Sequence, residues 1–222
     1  HSARVPRGLR AIRSVKIALI IYGSLDQKTG GYIYDSQIVS GLRRRGHTIF
    51  VQSLDSDRRV SSVLHAMRSI ARFSPDIIVG DELCFRELLP LFSRFHRTPR
   101  VLLVHHLSAW ETERTGAEAR WVAASERALL RISDRVVVTS GYSRKRLQKE
   151  GIAAAAILPG ADRLASFGHA SPEPRDIRFL FIGTLTPRKR LLELVNAFSR
   201  VSNSDASLHL VGDSSRDTEY AA

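Results

Sequence analysis

Two successive histidines, His105 and His106, close the apolar run RVLLVH (Arg100 to His105) and are the side chains best suited to proton and hydrogen-bond chemistry. Imidazole titrates near neutrality, so a histidine at a strand end can donate a hydrogen bond to a ligand hydroxyl or phosphate. Loop histidines without a role explain the same residues. Glu111 follows within reach of the same edge and is a weaker candidate, since an exposed glutamate is usually a solvated charge. No metal is expected, because no Cys, His or Asp partner stands at ligand spacing.

A second chemical segment is FIGTLTPRKRLL, Phe181 to Leu192. An expected strand ends at Gly183, a turn follows, and Arg188, Lys189 and Arg190 lie at the start of an expected helix. Three cations there oppose the helix dipole. A bound diphosphate would resolve the conflict by taking N–H groups and cations together; a solvated basic turn is the plainer alternative. A third segment is the pair Gly30-Gly31, after the first strand and at the start of the first helix. Such a position lets backbone approach an anionic ligand closely, although a simple turn also accounts for it. The GxGxxG dinucleotide fingerprint is not found in the chain.

The elements that must position these residues alternate. Short apolar runs at Val15–Tyr22, His47–Leu54, Asp76–Gly80, Arg100–His105 and Asp134–Thr139 read as buried strands,. Between them, Tyr32, Tyr34, Ile38, Val39 and Leu42 recur at helical spacing, with Gly46 at the C-cap position,. Val60–Phe73, Leu83–Phe95, Glu118–Ile132 and Ser143–Glu150 read as further helices, the second broken or kinked at Pro90,. Ala153–Leu158 is read as a final strand. Strand–helix alternation implies a parallel sheet with helices on both faces and ligands at the carboxyl edge.

The division expected is a basic arm over 1–14, a Rossmann-like domain over 15–160 and a linker over 161–176. A second, incomplete Rossmann-like domain then covers 177–222, with strands at Ile177–Ile182 and Ser207–Val211 and a helix at Lys189–Val201. The fold class is therefore α/β. One βαβ unit cannot cover both faces of a sheet, so the second domain reads as truncated.

Bulk composition narrows the classes. The hydrophobic share of 43% suits a packed core,, and no apolar run approaches the roughly 18–20 residues of a membrane span. Cys84 is the single cysteine, which fits a reducing cytoplasm and excludes an internal disulfide,. The net charge of +12, with four arginines among the first fourteen residues, suits phosphorylated ligands, an anionic membrane surface or nucleic acid,. Aromatics do not interleave with the basic residues, so nucleic acid is not the expected partner.

The order of these motifs resembles glycosyltransferase family 4. The likeness rests on TGGYIYDSQIVSGLRRRGHTIFV (Thr29 to Val51), VLLVHHL (Val101 to Leu107), SDRVVVTSGYSRKRL (Ser133 to Leu147) and GTLTPRKR (Gly183 to Arg190). The last corresponds to a donor-phosphate turn usually written G-R-L-x-x-x-K-G. The resemblance implies a GT-B fold and transfer of a sugar from a nucleotide diphosphate sugar, with retention of configuration and without a metal or other cofactor.

By the same resemblance, His105 is the catalytic contact to the donor sugar. Gly30, Gly31, Gly183, Thr184, Arg188 and Lys189 bind the donor, and His106 and Glu111 face the acceptor. Lys189 matches the lysine that neutralises the leaving diphosphate. Thr184 stands where the family's arginine would be, and Arg188 is the candidate to compensate. The family's paired glutamates, E-x7-E, have no counterpart before the chain ends, so a truncated form that lacks activity is expected. The acceptor is a sugar, a lipid or another small molecule on the first domain. If it is a lipid, Arg43–Arg45 would suit an anionic membrane interface, giving a cytoplasmic, membrane-associated enzyme. The competing readings are an inactive acceptor-binding module, another GT-B enzyme such as a nucleotide-sugar epimerase, and a basic nucleic-acid-binding protein.

Overall fold

The computed structural model describes residues 13–110, 115–160, 177–201, 206–215 and 217–221. The linker 161–176 and nearly all of the basic arm lie outside the described residues. The chain divides into two compact units, His1–Gly160 and Ala161–Ala222.

The first unit is built on β1 (Lys16–Tyr22), β2 (Thr48–Leu54), β3 (Ile77–Asp81), β4 (Arg100–Val104), β5 (Arg135–Val138) and the short β6 (Ala155–Ala156). All pair in parallel in the order β2-β1-β3-β4-β5-β6. The connecting helices are α1 (Gly30–Arg44), α2 (Arg59–Phe73), α3 (Phe85–Arg94), α4 (Gly116–Ile132) and α5 (Gly141–Lys149).

Strand order decides which face each helix covers. The chain steps from β1 outward to β2, then returns past β1 and moves steadily the other way. Right-handed crossovers therefore put α1 on one face and α2 to α5 on the opposite face. The core divides accordingly. Ile17, Leu19 and Ile21 of β1 pack with Tyr32 and Val39 of α1. Ala18 and Ile20 point the other way, into a cluster with Ile70, Leu88, Phe92, Leu129 and Leu147. The period-2 alternation of β1 thus feeds two cores at once. Reversal of strand order places a switch point at the carboxyl ends of β1 and β3, where such sheets leave a crevice for ligands.

Three sequence expectations are corrected in this unit. The helix expected over Leu83–Phe95 is a 3-10 turn at Glu82–Cys84 followed by α3. Pro90 does not break it; α3 runs through, at the loss of one backbone hydrogen bond near its middle,. The final strand shrinks from Ala153–Leu158 to two residues, because only Val137 and Val138 remain as partners at that edge. Helix α5 begins earlier than expected, at Gly141, where the Ser140 hydroxyl caps Ser143 N at 3.0 Å,. Gly80 leaves room for α3, since a Cβ there would come within 2.6 Å of the Leu88 methyl groups and force that buried side chain to shift.

The second unit pairs β7 (Ile177–Ile182) with β8 (Ala206–Val211) in parallel. Its helices are α6 (Leu191–Phe198) and α7 (Thr218–Ala221). The helix expected over Lys189–Val201 is again divided. Pro187–Lys189 form a 3-10 turn, and Arg190 adopts a left-handed conformation, φ +53°, before α6 starts. Ile177, Phe179, Leu180 and Ile182 of β7 remain exposed among the described residues.

Candidate functional site

The carboxyl ends of β1, β3 and β4 bring together residues far apart in sequence. Helix α1 starts at Gly30 with no side-chain cap and no acid in its first turn, which leaves its positive end open,. The His105 ring, just after β4, packs against Gly31. A Cβ at that glycine would lie 3.3 Å from His105 Cδ2, whereas one at Gly30 would meet nothing within 4 Å. Of the two, Gly31 is therefore small because His105 needs the room. One helical turn further along α1, Asp35 is completely buried and accepts from His105 Nε2 at 3.0 Å. Tyr34 sets its ring edgewise to the imidazole at a centroid distance of 5.4 Å,.

Two more carboxylates close the cluster. Asp81 ends β3 and accepts from Leu83 N at 3.0 Å. Glu82, 2% exposed, accepts from the backbone N–H groups of both His105 (2.6 Å) and His106 (3.2 Å). Glu126 of α4 repeats the device one step on, accepting from Ser108 N at 2.8 Å and Ala109 N at 3.0 Å. Two buried glutamates thus hold the loop after β4 by four of its amides, which fixes where His105 points.

Burying so many acids around one imidazole shifts their protons. Asp81 is pushed up to about 6, first by burial and then by the charge of Asp35. Glu82 is pushed well above the usual carboxylate range by burial and by Asp81. For His105, burial alone favours the neutral ring, but the Asp35 hydrogen bond and the charges of Asp35 and Asp81 outweigh it and raise its pKa,. The result is a ring held by Asp35 through Nε2 with its proton affinity raised, leaving Nδ1 as the nitrogen not committed to Asp35.

One ligand atom each from Asp35, Asp81 and His105 lies within 4.8 Å of the others. These donors suit a divalent cation in type. A proton on His105 meets the same electrostatic need, and the 3.0 Å contact to Asp35 already has hydrogen-bond geometry,.

The remaining expected residues fall as follows. His106 is half-buried, with its ring edgewise to Trp110 at 6.5 Å. Glu111 lies outside the described residues. In the second unit, Gly183 directly follows β7 and donates to Val211 O at 2.9 Å, and Thr184 comes next in the turn. The Lys189 side chain folds back so that its Cε is 3.8 Å from where a Gly183 Cβ would stand. Arg188 and Lys189 belong to the 3-10 turn rather than to a helix N-terminus. The amides of α6 are also not all open: Leu191 N and Leu192 N donate to the Tyr220 hydroxyl at 2.9 and 3.3 Å.

Asp35, Asp81, Glu82, Glu126 and Tyr220 were not singled out from the sequence. Asp35 carried a usable signal, since it lies four residues after Gly31 and shares its helix face,. Glu82 carried another, as an acid directly after a buried strand at the ligand edge.

Residues 37–162 match the family model of Glycosyltransferase Family 4. No curated protein matches the chain in sequence. Among solved structures, sucrose-phosphate synthase from Thermosynechococcus elongatus aligns with a TM-score of 0.61 at 15% identity, covering 90% of this chain and 71% of that one. The lipopolysaccharide outer core galactosyltransferase WaaB, in its apo form, aligns with a TM-score of 0.58 at 14% identity, covering 92% of this chain and 63% of that one. At these identities the structural likeness is one of fold.

Proposed function

The chain belongs to Glycosyltransferase Family 4 by its match over residues 37–162, and from that premise we propose that it transfers a hexosyl group from a nucleotide diphosphate sugar to an acceptor with retention of configuration. The observation that carries this reading is the His105 ring, held by buried Asp35 beside the N-terminus of α1, which has no side-chain cap. An imidazole donor next to a helix N-terminus without a side-chain cap suits a ligand that bears both hydroxyls and phosphate.

In this reading His105 donates from Nδ1 to a hydroxyl of the donor sugar, and Gly30 and Gly31 admit the donor to the α1 terminus. His106 and Glu111 serve the acceptor, a sugar, lipid or other small molecule. In the second unit, Gly183 and Thr184 form the turn that receives the diphosphate. Arg188 and Lys189 meet the negative charge that grows as the glycosidic bond to phosphate breaks. Two cations and backbone amides can do this without a metal. Exposed Arg43, Arg44 and Arg45 at the end of α1 offer a basic surface to an anionic membrane, in a cytoplasmic setting,. Among the described residues no helix is long and apolar enough to cross a membrane.

The test is transfer by the full chain from UDP-, GDP- and ADP-sugars to a panel of sugar and lipid acceptors, with the product anomer assigned by NMR. The expected result is turnover with retention, lowered by His105→Ala and by Lys189→Ala. Neither binding nor turnover of any nucleotide sugar overturns the proposal, and an inverted product overturns its stereochemistry.

A further inference from the structure

Strand β2 is the outer strand of the first unit's sheet, with β1 on one side and, among the described residues, no strand on the other. Its backbone polar groups alternate between these two sides. Thr48 N donates to Val15 O and Leu54 O accepts from Gly23 N, so Thr48, Phe50, Gln52 and Leu54 face β1. Ile49, Val51 and Ser53 therefore turn their N–H and C=O groups outward. An apolar, β-branched strand such as TIFVQSL with an open row of this kind is a template for pairing with another chain,.

Two of these outward carbonyls are already taken by side chains. Arg43, in the last turn of α1, donates from Nη2 to Ile49 O at 3.2 Å. Gln52 donates from Nε2 to Ser53 O at 2.7 Å. The second bond comes at a cost. Gln52 is buried on the face of the sheet that it shares with Ile20, and its Oε1 has no hydrogen-bond partner. A buried amide oxygen without a donor disfavours the fold. The carbonyl that Gln52 serves belongs to Ser53, an exposed residue whose C=O water could satisfy instead. The core gains nothing from that amide; the edge does.

The occupant that these caps exclude is a second copy of this chain. A two-fold axis through Val51 brings two β2 strands together antiparallel, with Val51 opposite Val51 and Ile49 opposite Ser53. In that register every outward N–H and C=O of one copy meets its complement on the other. Ile49 O and Ser53 O lie at the two ends of the register, and they are the carbonyls that Arg43 and Gln52 occupy. A carbonyl has two lone pairs, so the block is steric as well: each capping donor stands where a strand about 4.8 Å away would place its own N–H. With the caps in place only the central Val51 pair can form. We propose that Arg43 and Gln52 close the β2 edge against extension of the sheet by a second copy. The inference concerns β2 alone and does not depend on the glycosyltransferase reading.

The test is analytical ultracentrifugation of the full chain over a range of concentrations, at salt high enough to screen the like charge of two copies. Arg43→Ala combined with Gln52→Leu is expected to self-associate about tenfold more tightly than the parent chain. Arg43→Ala alone, at an exposed position that leaves the fold intact, is expected to give part of that gain. Adding Val51→Pro to the double variant is expected to return it to the parent's level, since proline removes an outward N–H and leaves the bonds to β1 in place. Reading each variant against the parent cancels association through any other surface. Arg44→Ala, whose side chain bonds Ser40 Oγ instead, is expected to match the parent. Gln52→Leu by itself is expected to raise the melting temperature or leave it unchanged, because it removes the orphan oxygen. Equal association of the parent, Arg43→Ala and the double variant overturns the proposal, as does an association that Val51→Pro leaves intact. A lower melting temperature for Gln52→Leu also overturns it, by making that amide a support of the fold rather than a cap on the edge.

Discussion

His105 Nε2 lies 3.0 Å from Oδ1 of Asp35, whose side chain has no exposed surface. One ring nitrogen is therefore committed to the protein, and a buried carboxylate raises the proton affinity of the ring. Asp35→Asn removes both the charge and the strongest acceptor while keeping the shape. Burial then meets only the charge of Asp81, and the His105 pKa is expected to fall,. NMR titration of the ring shows the shift directly. Transfer at neutral pH is expected to drop by on the order of 10²- to 10⁴-fold. An unchanged His105 titration in this variant refutes the coupling.

The sign of the linkage follows from the same cluster. His105 has a raised pKa, so its stabilising contribution is complete below its ordinary value of 6.5 and is lost as pH rises through the higher folded value,. Asp81 is also raised, from 3.8 to about 6, and the folded state is disfavoured as pH rises through that window. Both effects make the protein less stable toward alkaline pH.

Asp81→Asn keeps an acceptor for Leu83 N and removes the buried charge. It is expected to raise unfolding free energy at pH 8 by about 1–2 kcal/mol and to leave it nearly unchanged at pH 4. Urea melts at the two pH values measure this. An equal change at both pH values would mean that the Asp81 charge does not weaken the fold.

The strands were legible because β1, β3, β4 and β5 are short β-branched runs with few other readings. The register of α1 was legible from its tyrosines and from Gly46. Two kinds of feature were hidden. The first is local geometry that needs its neighbours: α3 tolerates Pro90, and Arg190 turns left-handed before α6, neither of which periodicity encodes. The second is buried charge. Pattern reading assigns an acid to the solvent side, so Asp35, Asp81 and Glu82 were passed over although they decide what His105 can do. His105 itself was found, since a polar residue ending an apolar strand at the ligand edge is conspicuous.

Gly30 and Gly31 look equivalent in the sequence but are not in the fold. Gly31→Ala puts a methyl group 3.3 Å from His105 Cδ2, so the ring must shift by a few tenths of an ångström. Its gain in helix propensity, about 0.5–1 kcal/mol, is offset by that contact. The expected outcome is near-unchanged stability with altered His105 chemical shifts in the ligand-free protein. Gly30→Ala meets no neighbour, so it is expected to stabilise slightly, leave His105 shifts alone and weaken donor binding only. Identical effects of the two variants would contradict this division.

Tyr220 holds the first amides of α6, the groups a diphosphate would need. Its hydroxyl accepts from Leu191 N at 2.9 Å and Leu192 N at 3.3 Å. Tyr220→Phe strips this cap and is expected to destabilise the second unit by about 1 kcal/mol without ligand. An anion that binds the freed amides then stabilises the variant by mass action. Added nucleoside diphosphate should therefore raise the melting temperature of Tyr220→Phe more than that of the parent chain. Combining it with Lys189→Ala should shrink the rise, since the ammonium next to Gly183 supplies the cation. Equal rises in the parent and in Tyr220→Phe would show that the diphosphate does not use the α6 amides, and would place its binding on the 3-10 turn cations alone.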